Sequence, residues 1–503
     1  MNYESVLRAA SYAAAAAAAY GVYMYATFDR RWWWKKRARS GREVVDAPDW
    51  EAKLIHGECK PGWEKVREEF VHNFRVRGEL GAAVCIYYRG EKVVDLWGGF
   101  RDREQHPWEK DTIACLFSSS KGISSLALAM LASRGKLEFD EKVATYWPDF
   151  AQNGKENVTV RELLDHACGL AGPSPPITLK QLYDNKAVRD FFAKQPMEWD
   201  TPNDYKGYMA LTLGFYESAI VQMTEGPAQR TVGQYLRDEA FKPLRIENEL
   251  YIGLPDSVPD SRIATVDGAS GLESLWDTGT YPEGLMWKLV TQPKSYTGRA
   301  FRNPELSKTP GVLMFNPRET KIPEMPAANG HGTARAVATM YRAAERAINT
   351  KFQDNPLGFD AKTMRELMKP AQPSRKNGWH DEVLGMDLAM GAGFLLPPPK
   401  HLLGTGKFCS FRGFGTPGAG GSFCFCDPEA EIAFAYVMNR CGTFIVDDPR
   451  EFSLRVKMYE CVQALRDGDG RGLPRLPLDK LGVPQKLAGL YMERYPELKP
   501  LGK

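Results

Sequence analysis

The chain has 503 residues, 43% hydrophobic and 26% charged, with a formal net charge of +3. That length buries a sizeable core without disulfide staples, and the composition excludes bulk disorder, a collagen-like fibre and a multi-span transporter. The net charge is too small to argue for nucleic acid. The basic excess is local: seven residues (Arg30, Arg31, Lys35, Lys36, Arg37, Arg39, Arg42) form one cluster, leaving 59 basic against 63 acidic residues elsewhere. Nine scattered cysteines contain no CxxC pair, so neither a zinc ribbon nor a thioredoxin-type site is indicated, and the usage favours a reducing compartment.

In chain order, the first element is a run of twenty uncharged residues from Ala9 to Phe28. As a helix it spans about 30 Å, the thickness of a bilayer core. Tyr20, Tyr23, Tyr25 and Trp32–Trp34 sit at its C-terminal end, followed by the basic cluster. This order predicts a single-pass anchor over residues 9–42 with the following domain on the cytosolic side. A secretory signal would carry its basic residues before the apolar run, and a presequence would carry more arginine. A peripheral helix held on anionic lipid is the rival reading.

After a polar linker, Glu79–Gly99 reads as a β-hairpin turning at Arg89-Gly90. Lys121–Ser133 reads as a helix stopped by Gly135. Val160–Ala167, Tyr208–Met223 and Thr333–Ala347 read as helices, with Thr333 as an N-cap. Strand signals return at Gly421–Cys426 and Ile432–Val437, and Phe452–Leu465 reads as a closing helix. Strands at both ends and helices between them predict an α+β fold. One antiparallel sheet is built from both ends and flanked by helices, with a mostly helical insertion. Residues 255–330 hold loops long enough to shape a site. The expected divisions are 1–42 (anchor and basic collar), 43–470 (one large domain) and 471–503 (a C-terminal extension).

No Gly-x-Ser-x-Gly elbow, HExxH or Walker A loop occurs, and the seven histidines show no metal-ligand spacing. No metal or cofactor is therefore expected. Gly413–Gly418 matches GxGxxG, but it contains Pro417 and precedes a strand, which argues against a nucleotide site. What remains is Ser118-x-x-Lys121 at a helix start, where positions i and i+3 share a face. A lysine in a dry pocket loses proton affinity and can act as a general base, and the helix N-terminus favours negative charge near Ser118. A second copy, Ser133-x-x-Lys136, falls at a helix end where neither factor helps.

The order of strand, Phe117–Gly122, apolar helix and then Glu162–Leu170 resembles the serine β-lactamase and penicillin-binding-protein-like hydrolases. The resemblance is closest to the class C β-lactamase and esterase branch, with its eukaryotic β-lactamase domain-containing members, and spans about residues 50–465. It implies that Ser118 is the acyl-accepting nucleophile, Lys121 its base, and Tyr208 a second proton carrier. The family's third motif falls on Thr416-Pro417-Gly418, which implies an oxyanion hole from the backbone N–H groups of Ser118 and Ala419. His331, in Asn329–Thr333, resembles a site-lining position, whereas His166 reads as structural and Asp165 as a solvated helix residue. Ala210 and Thr416 stand where lactamases carry an amide and a cation. The expected activity is therefore on an ester, amide or peptide, with β-lactamase activity weak or absent. The alternative is an inactive scaffold of the same fold.

Overall fold

The expected hairpin lies at the centre of the architecture. The computed structural model describes residues 50–268, 284–306, 311–349, 355–397 and 412–469. Strand β1 (Ile55–Cys59) is followed by β2 (Gly81–Tyr88) and β3 (Glu91–Gly99). The turn residues Arg89 and Gly90 have φ of 52° and 77°, as a tight two-residue hairpin loop requires. Late in the chain come β4 (Met390–Gly391), β5 (Phe394–Leu395), β6 (Phe414–Pro417), β7 (Phe423–Asp427) and β8 (Ile432–Met438). All pair antiparallel in the order β1-β3-β2-β8-β7-β6-β5-β4. The two ends of the body meet where β8 pairs with β2, Ile432 opposite Tyr88 and Met438 opposite Ala82.

The helices are α1 (Glu64–Val76), α2 (Ser119–Ser133), α3 (Leu213–Thr224), α4 (Ala334–Ile348) and α5 (Pro449–Gly468). Strand alternation assigns the sheet's faces. Tyr87 meets Thr339 of α4 at 3.1 Å, while Phe423 lies under Arg455 of α5 at 5.1 Å. Both faces are covered, so β8 is buried along its whole length and reads as a continuous apolar run. Thr333 caps α4 by accepting the Ala336 N–H at 3.1 Å, as expected.

Two helices are shorter than the sequence pattern predicts. The first begins at Leu213 rather than Tyr208, because residues 206–210 are drawn into other contacts described below. The second ends at Leu164, since His166 adopts a φ of 58° that no helix continues through. The short strands β4 and β5 carry too few residues to leave a period in the sequence. Gly413–Gly418 enters β6 and a turn, with no helix after it. The anchor expected over residues 9–42 and the extension 471–503 lie outside the described residues. Among the described residues no helix is long and apolar enough to cross a membrane.

Helix α2 lies directly against β6. A Cβ built on Gly122 would fall inside contact distance of the Tyr341 hydroxyl and 2.7 Å from Thr416 Oγ1. Gly122→Ala is therefore expected to destabilise the protein by about 1–3 kcal/mol through overpacking. Adding Tyr341→Phe should recover part of that loss, giving a non-additive pair in denaturant unfolding. Strict additivity would show that the close approach is not what Gly122 serves.

Candidate active site

The chain reaches Ser118 through a sharp bend. Phe117 has a φ of 47°, a strained conformation for a bulky residue, held by Leu116 N–H on the Gly330 carbonyl at 2.8 Å. The next two serines brace the start of α2. Ser119 Oγ donates to the Thr416 carbonyl at 2.9 Å, and Ser120 Oγ accepts the Gly330 N–H at 3.0 Å. Ser118 is left partly exposed at the helix N-terminus.

Lys121, one turn on, is fully buried. Its Nζ lies 2.7 Å from the Ala210 carbonyl oxygen, 3.0 Å from that of Ala327 and 3.2 Å from Ser118 Oγ. Burial pulls its pKa down to about 7, against the opposing attraction of the Glu217 carboxylate. A neutral amine has two N–H groups and one lone pair. In that form the two carbonyls can take both N–H groups and the lone pair is left for the Ser118 hydroxyl, whereas the ammonium donates to all three oxygens.

Tyr208 completes the cluster. Lys121 Nζ sits 4.7 Å from its ring centroid, and the phenol lies beside Ser118. Burial raises the phenol's pKa, so it stays protonated near neutrality. His166 stacks its ring 4.9 Å from the tyrosine ring and accepts the Met209 N–H on Nδ1 at 3.1 Å. Burial and the nearby lysines hold this imidazole neutral. Asp381 lies beside the Tyr208 backbone and accepts the N–H groups of Val383 (3.0 Å) and Leu384 (2.8 Å). The tyrosine is thus flanked on both sides.

The turn after β6 forms the opposite wall. Gly418 N–H donates to the Ser422 carbonyl at 2.7 Å, and Arg450 Nη2 donates to that of Gly420 at 2.7 Å. Arg450 is itself held by Asp448 at 2.9 Å and Glu79 at 3.0 Å. Ala419, at the tip, is exposed. Ser118, Lys121, Tyr208, Thr416, Gly418 and Ala419 all border one cavity of about 1500 Å³. Loops from the 255–330 region also line it, as their length led us to expect.

Other expected site residues are placed differently. His331 does not border the cavity. It lies in a short strand between Cys115 and Tyr251, with Nδ1 2.8 Å from the Asn329 carbonyl oxygen, and burial lowers its pKa to about 3. It backs the strand that leads to Ser118. Asp165 is not a solvated position, because its carboxylate accepts the Ala392 N–H at 2.6 Å. Arg412 pairs with Glu429 at 3.7 Å and is not among the cavity-lining residues. Ser133, of the second Ser-x-x-Lys, accepts the Asp360 N–H at 3.0 Å.

Glu217 escaped the sequence reading. Its carboxylate accepts Ser124 Oγ at 2.5 Å and Ser125 Oγ at 2.7 Å, and burial raises its pKa to about 7. The available signal was a single charge inside the otherwise uncharged α3.

The fold agrees with the comparisons. Residues 68–453 match the family model described as Beta-lactamase. The chain is 29% identical over 452 residues to the esterase/beta-lactamase LipL of Mycobacterium tuberculosis, covering 88% of this chain and 96% of that protein. A solved family VIII carboxylesterase superposes with a TM-score of 0.68 at 30% identity, covering 81% of this chain and 99% of the other. A penicillin-binding-protein homologue from Caulobacter crescentus gives 0.67 at 32% identity, covering 81% and 99%. The chain belongs to the beta-lactamase family and is a hydrolase of that family.

A pH dependence follows from the Lys121 environment. If Lys121 serves as the base for Ser118, the neutral amine is the competent form, and the labelling rate of Ser118 by a fluorophosphonate should rise with pH through about 7. Glu217 favours the ammonium, so Glu217→Gln should move that inflection to lower pH. An inflection that stays in place or moves upward would separate Glu217 from the reactivity of Ser118.

Proposed function

We propose that the protein hydrolyses esters or amides through an acyl-enzyme on Ser118. The observation that carries this reading is the buried Lys121 amine, whose Nζ lies 3.2 Å from Ser118 Oγ and within hydrogen-bond reach of two carbonyls; in its neutral form those carbonyls take its N–H groups and its lone pair is free for the Ser118 proton. Ser118 Oγ attacks the substrate carbonyl as its proton passes to Lys121 Nζ. The tetrahedral oxyanion is received by the N–H groups of Ser118 and Ala419. Collapse breaks the bond to the leaving alcohol or amine, which takes a proton relayed from Lys121 through the Tyr208 phenol. Water then attacks the acyl carbonyl, giving its proton to the same pair and releasing the acid and free Ser118.

Two features support esters over penicillin-like lactams. Ala210 offers only its carbonyl, which Lys121 already occupies. The Thr416 hydroxyl is shared among Tyr341 Oη (3.1 Å), the Gly122 N–H (3.3 Å) and the Ser119 carbonyl (3.1 Å), so it leaves nothing for a substrate carboxylate. The similar family VIII carboxylesterase supports an ester substrate, while the name of LipL carries both activities.

A fluorophosphonate is expected to label the wild-type protein, with Ser118→Ala abolishing both labelling and ester turnover. Tyr208→Phe should lower kcat by about 10²–10⁴-fold. A chromogenic cephalosporin should turn over far more slowly than a simple aryl ester. Unchanged labelling of the alanine variant would overturn the assignment of the nucleophile.

A further inference from the structure

The cavity is larger and more apolar than hydrolysis of a small ester requires. At about 1500 Å³ it exceeds the roughly 300–1,000 Å³ usual for small-molecule sites. Its apolar lining reaches Ser118 from two sides. On one side Leu384, Leu388, Met390 and Leu395 form a hydrophobic cluster separate from the main core, with Tyr208 and Phe301 packed against it. All six border the cavity. On the other side Phe117 meets Phe315 edge-to-face at 5.6 Å, beside Leu313 and Met314. Each patch thus includes a residue that neighbours Ser118, Tyr208 in the first and Phe117 in the second.

The apolar lining also continues to the mouth. In the helix Leu285–Thr291, Leu285, Met286, Leu289 and Val290 line the cavity, and Val290 is 70% exposed. Of the cations on the lining besides Lys121, two are ion-paired and one meets a carbonyl, leaving Lys294 near the mouth. Arg103 pairs with Asp267 at 2.5 Å, Arg299 with Glu198 at 2.6 Å, and Arg302 donates to the Leu289 carbonyl at 2.6 Å. A lining of this kind desolvates hydrocarbon and offers an anionic substrate little.

We infer that the substrate is a neutral, lipid-like ester with long apolar chains on both sides of its carbonyl. One chain lies on the Leu384–Leu388–Met390–Leu395 wall and the other on the Phe117–Phe315–Leu313 wall. This deepens the ester-hydrolase reading and rests on it. Burying one methylene contributes about 0.8 kcal/mol, so two methylenes correspond to about tenfold in kcat/KM while they remain on the wall.

The test uses two substrate series on the full-length protein. One is p-nitrophenyl acetate, butanoate, octanoate and decanoate; the other is ethyl, butyl, octyl and decyl acetate followed by acid release. In each series kcat/KM is expected to rise by at least about tenfold between the four- and eight-carbon members. Leu388→Trp should lower the long-to-short ratio in one series, and Leu313→Trp in the other. As a readout independent of turnover, Ser118→Ala should bind a fluorescent decanoyl ester that decanol or decanoic acid displaces and ethanol or acetic acid does not. Profiles that are flat or falling beyond four carbons in both series would overturn the inference. A rise in one series alone would uphold it for that chain and overturn it for the other. Absence of any Ser118-dependent ester turnover would instead defeat the underlying hydrolase reading.

Discussion

A lysine amine taken fully out of water must have its polar hydrogens matched, and that constraint organises this molecule. Leaving such a group unmatched costs several kcal/mol on burial. The partners of Lys121 are carbonyls 89 and 206 residues further along the chain, at Ala210 and Ala327. Those two loops are thereby tied to the first turn of α2. Ser119 and Ser120 complete the clamp by fastening the same turn to β6 and to Gly330. The serines of the Ser-x-x-Lys stretch thus divide their work: Ser118 faces the cavity, and the two between it and the lysine hold the helix in place.

Around this amine, burial pushes each titrating group towards its neutral form. Lys121 and His166 move down, while Tyr208, Glu217 and Asp381 move up. A site of mostly neutral groups, in low-dielectric surroundings, has oriented dipoles and few fixed charges before reaction. In the proposed mechanism the charge of a tetrahedral intermediate would be received by the backbone N–H groups of Ser118 and Ala419, with little solvent to reorganise. The Arg450–Asp448–Glu79 cluster, buried behind Gly420, holds that turn rigid without placing a charge in the cavity.

The sheet was legible because its central strands are long, apolar and punctuated by turn residues: β2 with β3, and β7 with β8. Helices α2, α4 and α5 were legible from their apolar spacing and, for α4, from the Thr333 cap. Ser118 and Lys121 stood out from local spacing, and Tyr208 and the Thr416–Gly418 turn from ordered motifs. What could not be read was whatever depends on long-range contact. The placement of Asp381 beside Tyr208 spans 173 positions and leaves no periodic trace. His331 and Asp165 were misplaced for the same reason: sequence gives neighbours along the chain, whereas exposure is decided by neighbours across the fold. Glu217 was recoverable in principle, since an isolated charge in an apolar helix demands a buried partner.

The departures from the lactamase pattern are not isolated substitutions at the rim of a common site. Thr416 is the point where three elements meet: its hydroxyl joins Tyr341 of α4 to Gly122 and Ser119 of α2. Gly122 permits that approach only because it has no side chain, since a Cβ there would collide with Tyr341. A long cationic side chain at position 416 would have to displace the hydroxyl's three partners or leave the strand in another direction. The lost carboxylate clamp is therefore coupled to how closely α2 packs on β6, and α2 is the helix that carries Ser118 and Lys121. On the proposed function, substrate preference and the placement of Ser118 and Lys121 would both depend on this helix–strand contact, so a change in one would call for adjustment in the other.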